Sequence, residues 1–187
     1  PFTGRRYLTA EEIQSLLNHV KERWLYDVIV FALNTGLRRG EIVNLKWGNI
    51  NLQTKEIMIQ NSEHFTVKGG IGRIVPMNDI VYEMLSSKMP TCDYVLTNAN
   101  GKKLYANYLR QRFKFYVRKA GLDENLHFHH LRHTFATLLV QRGVSIYELQ
   151  HLLGHKDVKT TQIYSHMNVD TLRSSVAVLD SALKITL

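Results

Sequence analysis

The chain of 187 residues has one cysteine, three prolines and eleven glycines. The single Cys92 excludes an internal disulfide framework and a zinc site built on several cysteines, and a reducing compartment is the simplest reading. So little Gly and Pro excludes collagen-like and low-complexity classes. Long apolar runs are missing too. The longest is Val28 to Leu33, far short of the ~20 residues a membrane span needs. No charged segment followed by an apolar one opens the chain, so no secretory signal is read. Pro1 stands where a Met would start a protein, which reads as a piece of a longer or processed chain with partners upstream. Acidic residues are few: 16 Asp and Glu against 24 Lys and Arg, a formal net charge of +8. That excess points to a polyanion, nucleic acid being the commonest. The bland alternative is a charge that only keeps the domain soluble.

What is present suits one domain with a real core, at 44% hydrophobic and 21% charged residues. Thr9 and Glu12 have capping-box spacing, and Ile13, Leu16, Leu17 and Val20 follow at helical spacing, predicting an amphipathic helix over 10–22. Residues 24–35 are apolar nearly all round and predict a buried helix ended by Gly36. A short helix follows over 38–45. Segments 55–60 and 73–77 read as strands of a small two- or three-stranded antiparallel sheet, joined by a polar turn with Lys68-Gly69-Gly70. Further helices are expected over 79–87 and 105–119, with a short buried strand at 94–96. Leu131, Phe135, Leu138 and Leu139 form a helical core stripe. Ser145 and Glu148 cap a helix with Ile146, Leu149, Leu152 and Leu153 as its apolar face, ended by Gly154. Helices over 158–166 and 170–183 complete a chain that is mainly α with a small antiparallel three-stranded β-sheet (α+β).

Four segments place cationic or nucleophilic groups at helix boundaries. In Thr35 to Glu41 (TGLRRGE), Arg38 follows a buried helix, which suits a fixed guanidinium gripping a phosphate, and Glu41 three residues on could orient it. The plain alternative is a surface ion pair worth little. In His127 to His133, His129 and Arg132 share a helical face roughly opposite the apolar stripe, so both should leave the core together. Satisfied polar packing or a metal site are the competing readings, although no zinc-like spacing appears. His155 follows Gly154 on a turn, either as a surface residue or as a donor to an oxyanion. Tyr164 is a packing residue by default, or a covalent nucleophile beside strong cations. Together these are the parts for attack on a phosphodiester, where positioning and charge neutralisation dominate.

In these residues the chain resembles the catalytic domain of the tyrosine recombinases, the phage integrase family. Thr35 to Glu41 looks like its first box, and His129 to Thr137 (HHLRHTFAT), LLGHKD at 152–157 and TTQIYSH at 160–166 look like its second. The resemblance spans roughly residues 8–180. It implies that Arg38, His129, Arg132 and His155 are catalytic, that Tyr164 is the nucleophile and that Glu41 supports the site. Lys68 looks like the catalytic Lys, with Lys55 a nearby competitor; His130 and His133 compete with His129, which the Leu-Arg-His context favours.

The implied chemistry has Tyr164 attack a DNA phosphate to form a 3′-phosphotyrosyl link. Arg38, Arg132 and His155 hold the non-bridging oxygens, Lys68 protonates the departing 5′ oxygen and His129 assists proton transfer, with no cofactor and no metal. The expected partners are double-stranded DNA and further copies of the chain, in a tetramer on DNA that exchanges the C-terminal helix. Arg39, Arg110, Arg112, Lys114 and Arg118 are the expected DNA-binding residues. Residues 1–7 would be a linker remnant and 8–187 the catalytic domain, without the family's N-terminal core-binding domain, in the cytoplasm on the nucleoid. Competing readings are a type IB topoisomerase, a metal-dependent nickase using His127-Phe128-His129, and a DNA-binding module without catalysis.

Overall fold

A computed structural model describes residues 6–61, 65–67, 72–154 and 169–183. The Thr9 hydroxyl accepts from the Glu12 backbone N–H at 3.3 Å while Glu12 accepts from the Thr9 N–H at 2.9 Å, so the capping box opens α1 (Ala10–His19). The helix ends at His19, earlier than the pattern predicts, because Val20 turns extended while staying buried. Helix α2 (Arg23–Thr35) buries ten of its residues and forms the centre of the core. Gly36 ends it in the left-handed region at φ 63°. A Cβ there would stand 2.4 Å from a ring carbon of Phe135, so α2 and α6 (His129–Gln141) cross closely because this position is glycine.

Helix α3 (Arg39–Asn44) and a single 3-10 turn (Trp47–Asn49) lead into the sheet. The sheet is antiparallel, in order β1 (Ile50–Asn51), β2 (Glu56–Ile59), β3 (Arg73–Pro76), with Ile57 opposite both Ile50 and Val75. Ile57 and Ile59 point into the core and Met58 out, as period-two alternation requires. The expected strand at 94–96 is reduced to one bridge between Tyr94 and Lys46. Only Leu45 and Lys46 are extended between the end of α3 and the 3-10 turn, so the pairing stops after two bonds. These run from Val95 N–H to Leu45 O at 3.0 Å and from Trp47 N–H to Asp93 O at 2.9 Å. Val95 and Leu96 are nonetheless buried.

Helices α4 (Asp79–Ser86), α5 (Ala106–Lys119), α6 and α7 (Ile146–Leu153) follow, and Asn78 both caps α4 and hydrogen-bonds the buried Asn34 of α2 at 2.8 Å. Leu131, Phe135 and Leu139 of α6 are buried and Leu138 only partly. Ile146 departs from the predicted apolar face: as the first residue of α7 it lies at the rim, exposed, while Leu149, Leu152 and Leu153 fill the core. Helix α8 (Val169–Ala182) lays Leu172, Val176 and Leu179 against α2, α4, α6, α7 and β3 of its own chain. The helix expected over 158–166 lies outside the described residues. Among the described residues, no helix is long and apolar enough to cross a membrane. The architecture is mainly α with the small antiparallel sheet at one side.

Candidate active site

The site grows from the C-terminal ends of two helices. A helix leaves its last carbonyls without intrahelical donors. At the end of α7 the Gly154 N–H serves Gln150 and His151. The next two carbonyls are taken by guanidiniums: Leu152 O accepts from Arg73 Nε at 2.8 Å, and Leu153 O from Arg132 Nη2 at 2.6 Å. Arg132 also donates from Nη1 to Gly36 O at the end of α2, at 2.7 Å. Arg132 therefore clamps two helix ends, and only 4% of it is exposed. This corrects the expectation that it leaves the core beside His129. The α6 face shared by those two residues is roofed by α2 and α7 over Arg132 and open over His129.

Arg38 is the residue before α3, held at the elbow after α2 by the buried Leu37. Its backbone N–H donates to Glu41 Oε2 at 2.8 Å and its Nη1 to Oε1 at 3.1 Å. The Glu41 carboxylate is almost fully buried and receives a second, bidentate guanidinium: Arg73 Nη1 and Nη2 reach Oε1 and Oε2, each at 2.9 Å. Burial alone would raise the Glu41 carboxyl; Arg73 first and Arg38 second reverse this and hold it at about 2. Burial, then the charges of Arg38 and Arg73, lowers the Arg132 guanidinium to about 9, with Glu41 opposing them. It is still charged at neutral pH. Arg38, Arg73 and Arg132 thus surround one carboxylate and leave a surplus of positive charge.

His129 opens α6 with one side to solvent. Its ring meets that of His133 edge-on, 4.6 Å between centres. Partial burial, then His133, Arg132 and Arg38, lowers its pKa to about 4, so it stays neutral at physiological pH. Of its competitors, His130 is occupied: its Nδ1 accepts from the His127 N–H at 2.8 Å. Lys55 is also committed elsewhere. It sits at φ 54° in the β1–β2 turn, its Nζ 3.5 Å from Asp79 and 4.3 Å above the Tyr82 ring. Lys68, His155 and Tyr164 lie outside the described residues. Gly154 ends α7 in the left-handed conformation at φ 60°, as the sequence predicts. His127-Phe128 is not on a strand, Phe128 being buried where α6 begins. Among the described residues no three His, Cys, Asp or Glu side chains converge as metal ligands.

The expected DNA-binding cations divide. Arg39 is half-exposed at the start of α3. Arg110, Lys114 and Arg118 recur every four residues along α5 and, with His127, rim a cavity of about 400 Å³ floored by Phe113 and Phe128; Arg118 also pairs with Glu124 at 3.0 Å. Arg112 faces elsewhere: it pairs with Glu22 at 3.0 Å and stacks over Phe115, its centre 4.6 Å from the ring.

The residue missed from sequence is Arg73. A signal existed: it shares the inward face of β3 with Val75, and a charge on an inward strand position needs a buried partner.

The sequence profile of the phage integrase family matches residues 6–170. The chain belongs to that family. The tyrosine recombinase XerA of Saccharolobus solfataricus is 37% identical over 166 residues, which cover 87% of this chain and 53% of that protein. The tyrosine recombinase XerC of Natranaerobius thermophilus is 30% identical, covering 87% of this chain and 58% of that one. The chain therefore spans a little over half the length of these curated relatives. The crystal structure of XerA recombinase is similar over 100% of this chain and 66% of that one, with a TM-score of 0.67 and 28% identity. The lambda integrase catalytic core shares the fold at a TM-score of 0.68 and 24% identity, over 81% of this chain and 96% of that one. The phage integrase fold is thus present across the domain that carries Arg38, Glu41, His129 and Arg132.

Proposed function

We propose that this domain of the phage integrase family is the catalytic part of a site-specific DNA recombinase. It would cut and rejoin double-stranded DNA through a phosphotyrosyl intermediate. The observation that carries the reading is the surplus of fixed guanidinium charge: Arg38 and Arg132 are held at helix ends beside the neutral His129, with a single carboxylate among them. Such a site suits a phosphoryl group whose charge grows in the transition state. In this reading the Tyr164 oxygen attacks the scissile phosphorus and the bond to the 5′ oxygen breaks. The neutral imidazole of His129 accepts the tyrosine proton, and Lys68 gives one to the departing oxygen. Arg38, Arg132 and His155 hold the non-bridging oxygens, and attack by another 5′ hydroxyl reverses the steps. The engagement of Lys55 with Asp79 supports Lys68 as the proton donor. Arg39 and the Arg110, Lys114 and Arg118 stripe would hold the DNA backbone nearby.

The recombinase reading is favoured over a type IB topoisomerase by the relatives named above, and over the nickase by the helical setting of His129. It places the protein in the cytoplasm, on the nucleoid, with 8–187 as the catalytic domain and 1–7 as linker. Assembly would be a tetramer on DNA. An exchanged α8 would offer a neighbour the apolar face of Leu172, Val176 and Leu179 that it lays on its own chain here. The test is a pool of nicked duplexes of randomised sequence, incubated with the chain in EDTA. A covalent adduct mapped to Tyr164, absent from Tyr164→Phe, is the expected result. Dependence on a divalent metal, or an adduct that survives in Tyr164→Phe, would overturn the reading.

A further inference from the structure

We infer that Arg73 is a positioning residue for Arg38: by occupying Glu41 with its own fork it keeps the Arg38 guanidinium turned toward substrate. This rests on the proposed role of Arg38. A carboxylate offers about four acceptor positions on its two oxygens. In Glu41 these are filled by four N–H groups: Arg73 Nη1 and Arg38 Nη1 on Oε1, and Arg73 Nη2 and the Arg38 backbone N–H on Oε2. Arg38 consequently gives Glu41 one side-chain N–H, in a pair whose Arg38 side chain is 19% exposed. The other donors of its fork are not spent on Glu41. An Arg and a carboxylate three residues apart, left to themselves, favour the two-bond fork of both partners. Arg73 blocks that arrangement geometrically.

The rest of the Arg73 environment shows why it can do so. Its Nε is fixed on Leu152 O at 2.8 Å, its side chain is 3% exposed, and Gly154 lies so close that a Cβ there would stand 2.9 Å from Arg73 Cδ. Three attachments, on β3, α3 and the end of α7, leave its guanidinium one orientation. The sheet, the elbow that carries Arg38 and the helix end that leads to His155 are thereby set by one side chain.

The test compares wild type with Arg73→Lys and Arg73→Met, each alone and with Glu41→Gln. Lys keeps the charge but has no fork. In the DNA-free protein, the side-chain N–H resonances of Arg38 report its orientation directly. In both Arg73 variants they should move to those of a forked ion pair, and Glu41→Gln added to Arg73→Met should move them back. With a nicked duplex recovered from the randomised pool, adduct formation in single turnover should fall at least tenfold in Arg73→Lys. Half-saturation by DNA should change less than threefold and the unfolding transition should stay cooperative. Adding Glu41→Gln to Arg73→Met should recover part of the rate. Unmoved Arg38 resonances, or an adduct rate in Arg73→Lys within twofold of wild type, overturns the inference. If wild type forms no adduct, the recombinase reading fails, and the resonances alone decide the role of Arg73.

Discussion

Glu41→Gln tests the charge of the site at nearly constant shape: the negative charge is lost, and one of two oxygens that each accept two N–H groups becomes an NH2 donor. Folded Glu41 titrates at about 2 instead of its ordinary 4.5, a displacement worth about 3 kcal/mol at roughly 1.4 kcal/mol per pH unit. The folded pKa is the depressed one, so this stability is fully present above pH 4.5 and is lost as pH falls through that value toward 2. At pH 3 about 2 kcal/mol of it should be gone. Removing the charge at neutral pH strands Arg73, whose side chain is 3% exposed; breaking such a buried pair typically costs about 3–5 kcal/mol. Denaturant unfolding of wild type and Glu41→Gln at pH 7, 5, 4 and 3 measures both effects. The gap between the two proteins should be several kcal/mol at pH 7, and near pH 3 smaller by about 2 kcal/mol. His129, His130 and His151, whose pKa values burial lowers, also take up protons in acid. They are common to both proteins and cancel in the difference. A gap independent of pH, or smaller than about 1 kcal/mol at pH 7, would show that the Glu41 charge does not hold the two arginines.

Gly36→Ala places a Cβ in the left-handed region and 2.4 Å from the Phe135 ring; strain and overpacking together predict a loss of about 2–4 kcal/mol. Calorimetry should show it as a lower Tm, partly restored by Phe135→Leu, and an unchanged Tm would contradict the packing described. Arg110→Ala, Lys114→Ala and Arg118→Ala should each flatten the dependence of DNA affinity on salt, by about 0.9 in the log–log slope for each phosphate no longer neutralised. Arg112→Ala should not, because Arg112 lies off the cavity rim and its pair with Glu22 is only 27% exposed on each side. The Arg118–Glu124 pair, by contrast, is 60% and 67% exposed and free to exchange for a phosphate. An equal effect of all four would erase that distinction. If neutral His129 takes the tyrosine proton, adduct formation should hold level from pH 7 to 5 and fall only as pH approaches about 4. A fall centred on 6.5 would assign the step to an ordinary histidine.

Local rules made most of the fold readable. The Thr9–Glu12 and Ser145–Glu148 boxes and the breaks at Gly36 and Gly154 act through bonds three or four residues long, and they appear in the structure as predicted. The strand expected at 94–96 failed for a nonlocal reason, since its partner Lys46 is boxed between two helical turns. The site was legible in part. Arg38 and Glu41 are neighbours in sequence, and their pairing follows from that spacing. The burial of Arg132 depends on where the ends of α2 and α7 fall, which no window on α6 contains. Arg73 lies 32 positions from Glu41 and 79 from Leu152, so its importance becomes visible only once β3, α3 and α7 meet.

The choice of partners for Arg132 explains how a deeply buried guanidinium can serve an anion. A carboxylate beside it would satisfy its N–H groups but also cancel its charge. The carbonyls of Gly36 and Leu153 satisfy the N–H groups while contributing only the partial negative charge of helix ends. Geometry is fixed and the full positive charge is kept. Burial lowers the pKa to about 9, still well above neutrality, so the group stays charged. Glu41 is the one acid of the set, and it neutralises Arg73 in a fork while touching Arg38 with a single side-chain bond. The division is functional in form: the arginine whose task is internal is paired with the charge. The arginine clamped by helix ends keeps its field, and the one at the elbow keeps most of its donors for whatever anion enters.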